Sequence, residues 1–208
     1  FSGPLSPTWY AAVATNAVVL AYDPSTPGGR RVAAAPDRWY EPLLAGTVRL
    51  GRTDPDLDPL GYRTLFALDL ATDHYETDTD LRAAIPTRAQ IYPETRLASA
   101  FEIGELEAAF VYRSTAVDRG YDHVSLPPPV DLSDPAFGDR YATATHTLPG
   151  GRRIRGAPIV YGAVLRHDEP ATRAVFDRHA GGTVLSEFGF GTPDEFPRYT
   201  GDPPDGLG

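Results

Sequence analysis

The chain contains no cysteine. That excludes disulfides, thiolate metal sites, cysteine nucleophiles and a lipidated N-terminal cysteine within these residues, and it leaves the redox compartment undetermined. Lysine is missing too: all 19 basic residues are arginine, set against 28 Asp and Glu for a formal charge of −9. Such a balance disfavours a nucleic-acid partner, because phosphate contacts need a basic face. No stretch approaches the roughly 20 apolar residues that span a bilayer. The first residue, Phe1, opens no basic-then-apolar signal segment, so the sequence reads as soluble and as a part of a longer protein.

What is present fits a folded chain. With 208 residues and 41% hydrophobic content, it can bury a sizeable core as one large domain or two small lobes. A lysine-free surface rich in Asp, Glu and Thr stays hydrated in strong salt, a pattern of halophilic archaeal proteins; a GC-rich genome gives the same bias.

Residues 15 to 22 (TNAVVLAY) form an apolar, β-branched run ended by Asp23-Pro24, which predicts a buried strand. Residues 37 to 45 suggest a short helix capped by Asp37, weakened by Pro42. Strands are expected over 47–53, 88–92, 106–112 and 157–166, and helices over 59–75, 94–103, 169–180 and 183–188. This alternation argues an α/β fold. Residues 127–139, with three consecutive prolines, read as a connector, and the last dozen residues as a frayed tail. Gly28-Gly29, Gly150-Gly151 and Gly181-Gly182 read as turns, and no internal repeat is visible.

The densest polar cluster, Gly51 to Arg63, falls between an expected strand and an expected helix, where α/β sheets place ligands and free helix amides favour an anion. Pro59 at the first helical position leaves Asp58 as N-cap. Tyr92-Pro93-Glu94-Thr95 is a second strand-to-helix passage of the same kind. Two carboxylates converging from these starts would suggest metal coordination or acid–base work. Each alone is equally an ordinary cap or dipole partner. A calcium loop on Asp54, Asp56 and Asp58 fails, because its sixth position is Pro59 and its twelfth Leu65, where glycine and glutamate are needed. The five histidines (His74, His123, His146, His167, His179) are scattered and read as surface residues, and neither GxxxxGK[ST] nor GxSxG occurs.

DPDLDPLGYR (54–63), YPET (92–95), GELEAAFVYRSTA (104–116), LPPPVDLS (126–133) and GAPIVYGAV (156–164) together resemble the WtpA family of archaeal tungstate/molybdate-binding proteins, over most of residues 8–192. Glu94 and Tyr112 lie eighteen positions apart, the interval between two ligand-binding positions of that family.

The resemblance implies a periplasmic-binding-protein-like type II fold, of which the chain covers the second lobe and the C-terminal return. TNAVVLAY and APIVYGAV would be the crossing strands. Residues 1–15 would end a first-lobe segment, 16–156 form the second lobe with the first crossover, 157–192 the return crossover and C-terminal helices, and 193–208 a flexible acidic tail. Ser2-Gly3-Pro4-Leu5-Ser6 does not reproduce the family's serine-bearing first-lobe segment.

By the same resemblance Asp58, Pro59 and Leu60 form one ligand-binding stretch, with helix-start amides facing the oxyanion, while Glu94 and Tyr112 supply side chains. Asp58 and Glu94 would bond the tungsten or molybdenum directly, completing a six-oxygen shell, and Tyr112 would donate to an oxo group. Arg63 and Arg113 are expected to make salt bridges or to pack. The implied role is a non-enzymatic, cofactor-free, monomeric extracytoplasmic solute-binding protein on the outer face of the cell membrane. A lipid anchor would hold it there, and it would deliver tungstate or molybdate to an ABC permease and ATPase. The alternatives are a carboxylate-based metal-dependent hydrolase using Asp58 and Glu94, and a degenerate relative acting as sensor or docking module.

Overall fold

The computed structural model describes residues 7–181 and 183–207. Ser2 to Ser6 and the second glycine of the Gly181-Gly182 turn lie outside them.

One long extended segment opens the chain and is interrupted at Ala17, giving β1 (Trp9–Asn16) and β2 (Val18–Tyr22). Then come α1 (Pro27–Ala33), α2 (Tyr40–Leu44), β3 (Leu50–Gly51), the longest helix α3 (Pro59–His74), α4 (Leu81–Ala84) and α5 (Glu94–Glu102). β4 (Ala108–Tyr112) runs straight into α6 (Arg113–Asp118) and is followed by β5 (His123–Ser125), α7 (Pro128–Asp131) and α8 (Gly138–Tyr141). The hairpin β6 (Thr145–Thr147) and β7 (Arg153–Arg155) leads to β8 (Ile159–Ala163), α9 (Pro170–Ala180), α10 (Thr183–Glu187) and β9 (Arg198–Gly201). Among the described residues, no helix is long and apolar enough to cross a membrane.

Two sheets share the opening segment. β2 lies inside a sheet of order β3-β4-β2-β5, whereas β1 is the centre of a second sheet of order β8-β1-β9. A strand covered on both faces has no solvent side to mark with polar residues, which is why Val18, Val19, Leu20 and Ala21 run without interruption. Their alternation divides two cores. Val18 and Leu20 meet Trp39, Phe66 and Phe110 on one face, and Val19 and Ala21 meet Leu97, Phe101 and Val111 on the other. A third, smaller core joins Trp9 and Phe176, their rings edge-on at 5.8 Å, beneath α9.

α3 begins as its sequence dictates. The Asp58 side chain accepts from Leu60 N at 2.6 Å and Pro59 occupies the first turn, where a missing N–H costs nothing. Phe66, Leu68 and Leu70 are then buried, each stabilising the fold by about 1.5–3 kcal/mol. Gly61 is required here: a Cβ would stand 2.4 Å from the Asp54 carbonyl carbon, because the Asp54–Asp58 turn folds tightly onto the helix start.

Several expectations are corrected. The strand over 47–53 contracts to Leu50–Gly51, and 88–92 is a 3-10 turn (Arg88–Gln90) with a single parallel bridge from Ile91 to Arg52. Asp37 caps nothing; the helix starts at Tyr40, which puts Pro42 in the first turn. The proline-rich 127–139 holds α7, entered through prolines at its first positions, and a 3-10 turn at Pro135–Phe137. The tail is not frayed throughout: β9 pairs antiparallel with Trp9–Ala12, and Leu207 is buried in the third core. His146 is no solvated surface residue; its Nε2 lies 2.8 Å from Asp56 Oδ1 and ties the β6–β7 hairpin to the Asp54–Asp58 turn.

Candidate functional site

β3 and β4 are parallel, and the Arg52–Ile91 bridge adds a third parallel segment beside them. Their carboxyl ends therefore lie along one edge, the place where open α/β sheets hold ligands. Asp58 follows β3, Glu94 follows the Ile91 bridge, and Tyr112 is the last residue of β4, directly across from Val18 at the start of β2. So the topology takes all three expected side chains to the same edge.

Their surroundings differ. Tyr112 is joined by Arg63, one turn into α3: its Nη1 donates to Tyr112 Oη at 2.5 Å, and its guanidinium lies 5.7 Å from the ring centroid. Burial pushes the Tyr112 phenol up to about 12; the Arg63 charge and hydrogen bond pull the other way, while Tyr161 and Asp58 are near enough to add to the rise. A phenol in this setting stays protonated. Since its oxygen accepts from Arg63 and its proton has no acceptor among the described residues, that proton is free to be donated.

Asp58 is half-buried, and its Oδ1 is spent on the Leu60 amide. The next amides, Gly61 and Tyr62, turn back to the Asp58 carbonyl at 3.1 and 3.4 Å. The expected free amides at the start of α3 are therefore not there, because Asp58 caps its own helix. Leu60 is buried and Pro59 has no N–H, so this stretch offers the second Asp58 oxygen and little else.

Glu94 is exposed, and its carboxylate makes no hydrogen bond or ion pair among the described residues. It opens α5, whose N-cap Pro93 has no side chain to cap with, and the amides of Glu94 and Thr95 lack acceptors among the described residues. Free helix amides are thus on this edge, but at α5. No group of three or more His, Asp or Glu able to hold a metal ion occurs among the described residues.

A buried positive charge follows β3 directly. Arg52 is 5% exposed, with Nη2 donating to the Thr87 carbonyl at 3.1 Å, Nε unpartnered and no carboxylate in an ion pair among the described residues. Burial lowers its pKa below the usual guanidinium range, an effect partly opposed by Asp54. A guanidinium keeps its charge even so, and its field in a low-dielectric setting favours an anion at the strand ends. Arg63 and Arg113 both pack against neutral partners, Arg113 Nε donating to the Gly189 carbonyl at 2.6 Å.

Residues that sequence reasoning passed over surround the break between β1 and β2. Asn16, fully buried, bonds Ser114 Oγ at 2.8 Å and Tyr161 Oη at 3.2 Å. The available signal was a lone carboxamide inside an apolar run, since a buried polar group needs partners. Two hollows, of about 340 and 330 Å³, lie elsewhere, one beside Asp69, Asp73 and Asp80, the other beside Thr15, Arg113 and Gly191. Asp58, Glu94 and Tyr112 line neither; they occupy an open edge.

Two sheets linked by a strand that crosses from one to the other, a return strand antiparallel to it, and polar groups gathered at the crossing describe a periplasmic-binding-protein-like solute-binding fold. The chain belongs to the bacterial extracellular solute-binding protein family, which it matches over residues 2–176.

A Haloferax volcanii protein named as an ABC transporter molybdenum-binding protein is 50% identical over 98% of this chain and 67% of its own length. An uncharacterized solute-binding protein of Halobacterium salinarum is 35% identical, covering 96% of this chain and 66% of that protein. The molybdate/tungstate-binding protein WtpA of Thermococcus kodakarensis is 30% identical over 78% of this chain and 52% of its own length. The chain thus spans about two thirds of the halophile relatives and about half of WtpA.

Proposed function

We propose that the chain forms one wall of an oxyanion cleft that captures molybdate or tungstate, with Asp58, Glu94 and Tyr112 as the ligand-binding side chains. The observation that carries this reading is Tyr112. A phenol held on its acceptor side by Arg63 and near enough to Asp58 to feel its charge has its proton free for an acceptor-only ligand. The name of the Haloferax relative, at 50% identity, is consistent with that ligand class.

Two carboxylates would repel a plain dianion. They suit an oxyanion whose metal centre accepts further oxygens, with the second oxygen of Asp58 and the unpaired carboxylate of Glu94 bonding that centre. The free Glu94 and Thr95 amides and Tyr112 would bind its oxo groups. As part of an importer system, the protein would sit on the outer face of the membrane, held by a lipid anchor, and hand the anion as a monomer to a permease and its ATPase.

Calorimetric titration of the protein with molybdate, tungstate and sulfate tests this. Heat with the first two, much reduced with sulfate, is the expected result, since sulfur does not expand its coordination to take two carboxylates. Equal binding of sulfate, or no heat at all, refutes it.

A further inference from the structure

Asn16 has both ends of its carboxamide engaged. Its Oδ1 accepts from the backbone amides of Ala17 at 2.9 Å and Ser114 at 3.3 Å. Backbone amides only donate, so they settle which end is oxygen and turn Nδ2 toward Ser114 Oγ and Tyr161 Oη. Tyr161 is therefore an acceptor in the bond with Asn16 at 3.2 Å, and its own proton has no acceptor among the described residues.

The ring is fixed as well. It stands edge-on to Phe190 with centroids 5.1 Å apart, while 39% of the residue remains open to solvent. Tyr161 comes from the return strand β8, where Thr15↔Val160 and Ala14↔Tyr161 pair it with the opening strand, and its hydroxyl lies close enough to Tyr112 to act on that phenol electrostatically. Two phenols, one ending β4 and one on the return strand β8, thus share one arrangement: each accepts from a protein donor, Arg63 or Asn16, and each keeps its proton for something else.

We propose that Tyr161 is a second phenol donor to the bound oxyanion, so that the return strand contributes directly to the site. This rests on the oxyanion reading above. The chemistry it selects for is a fully deprotonated tetrahedral anion, whose oxygens only accept. Hydrogen phosphate must also donate, and a phenol oxygen already taken by Asn16 or Arg63 is a poor acceptor for it. An anion bridging Tyr112 and Tyr161 would also join the two sheets through the ligand.

Tyr161→Phe is the test, because it removes the hydroxyl and leaves the ring against Phe190. Titrating wild type and variant with molybdate, the expected result is about tenfold weaker binding by the variant, from loss of one hydrogen bond to a charged acceptor. The thermal midpoint without ligand should fall modestly, because the buried Asn16 Nδ2 loses one of its two acceptors and keeps Ser114 Oγ, and hydrogen phosphate should compete better against molybdate in the variant than in wild type. Equal molybdate affinity in variant and wild type overturns the Tyr161 assignment while leaving the oxyanion reading standing. A wild type that binds no molybdate overturns both.

Discussion

Replacing Arg63 with methionine keeps most of the side chain's apolar stem and removes both its charge and its hydrogen bond to Tyr112. A hydrogen bond that involves a charged group contributes about 1.5–3 kcal/mol, so Tyr112→Phe, which deletes the proposed donor to the anion, should weaken molybdate binding by roughly tenfold to a hundredfold. Arg63→Met leaves that hydroxyl in place but free to turn its proton away from the ligand. If Arg63 acts through Tyr112, the double variant should bind only slightly more weakly than Tyr112→Phe alone, a coupling of about 1 kcal/mol or more in the cycle. Part of the Arg63 effect is direct attraction for the anion. Salt separates the two, since the Debye length falls from about 10 Å at 0.1 M to about 3 Å at 1 M. The Arg63–Tyr112 contact of 2.5 Å lies inside even the shorter length, so the coupling should persist in 1 M salt while the rest of the loss shrinks. Calorimetry on the four proteins at both salt concentrations decides it. Losses that add to within about 0.5 kcal/mol would refute the orienting role of Arg63.

The other expectations concern single residues. Asp58→Asn should keep the helix cap, as Asn and Asp cap equally well, yet lose most of the anion affinity; Asp58→Ala should lose about 1 kcal/mol of stability in addition, which parallel denaturant and binding titrations will show. Asp131 is 6% exposed, and burial pushes its carboxyl up from 3.8 to about 6, against the pull of the Ser133 hydrogen bonds and of Arg113. Its folded pKa is raised, so the native state holds more protons than the unfolded chain between pH 4 and 6 and stability from this group falls as pH rises through that window, by on the order of 3 kcal/mol. Asp131→Asn should flatten this slope and raise the melting temperature at pH 7; an unchanged slope is the contrary result. Phe66→Ala, at a position 1% exposed in the main core, should cost about 3–5 kcal/mol in chemical denaturation.

Local signals carried part of this far. The proline after Asp58 and the apolar run of Val18 to Ala21 each act within a few residues, through capping and through burial on both faces, and they place α3 and β2 where they stand. The resemblance to tungstate/molybdate-binding proteins rested on motif order and spacing, and it pointed to Asp58, Pro59, Leu60, Glu94 and Tyr112; that Asp58, Glu94 and Tyr112 follow neighbouring strand ends comes from the sheet topology. Short strands were less legible, because 47–53 and 88–92 have strand-like composition but only two residues and a single bridge find partners. β9 was invisible: Arg198–Gly201 is held as a strand by β1, nearly two hundred residues away in sequence, and not by its own composition.

What the sequence by itself determined is therefore the class of fold, the start of α3 and the three side chains worth asking about. Tertiary structure alone decided how those side chains are equipped. Arg63 meets Tyr112 across 49 residues, Asn16 meets Ser114 across 98 and Tyr161 across 145, and none of these separations leaves a periodicity to read. Four distant segments meet here: α3 packs Arg63 against the end of β4, and the strand that crosses between the two sheets brings Asn16 to Ser114 and, through the return strand beside it, to Tyr161. The Asp58 cap is the contrasting case, a bond to Leu60 two residues on that local sequence sets without any tertiary partner.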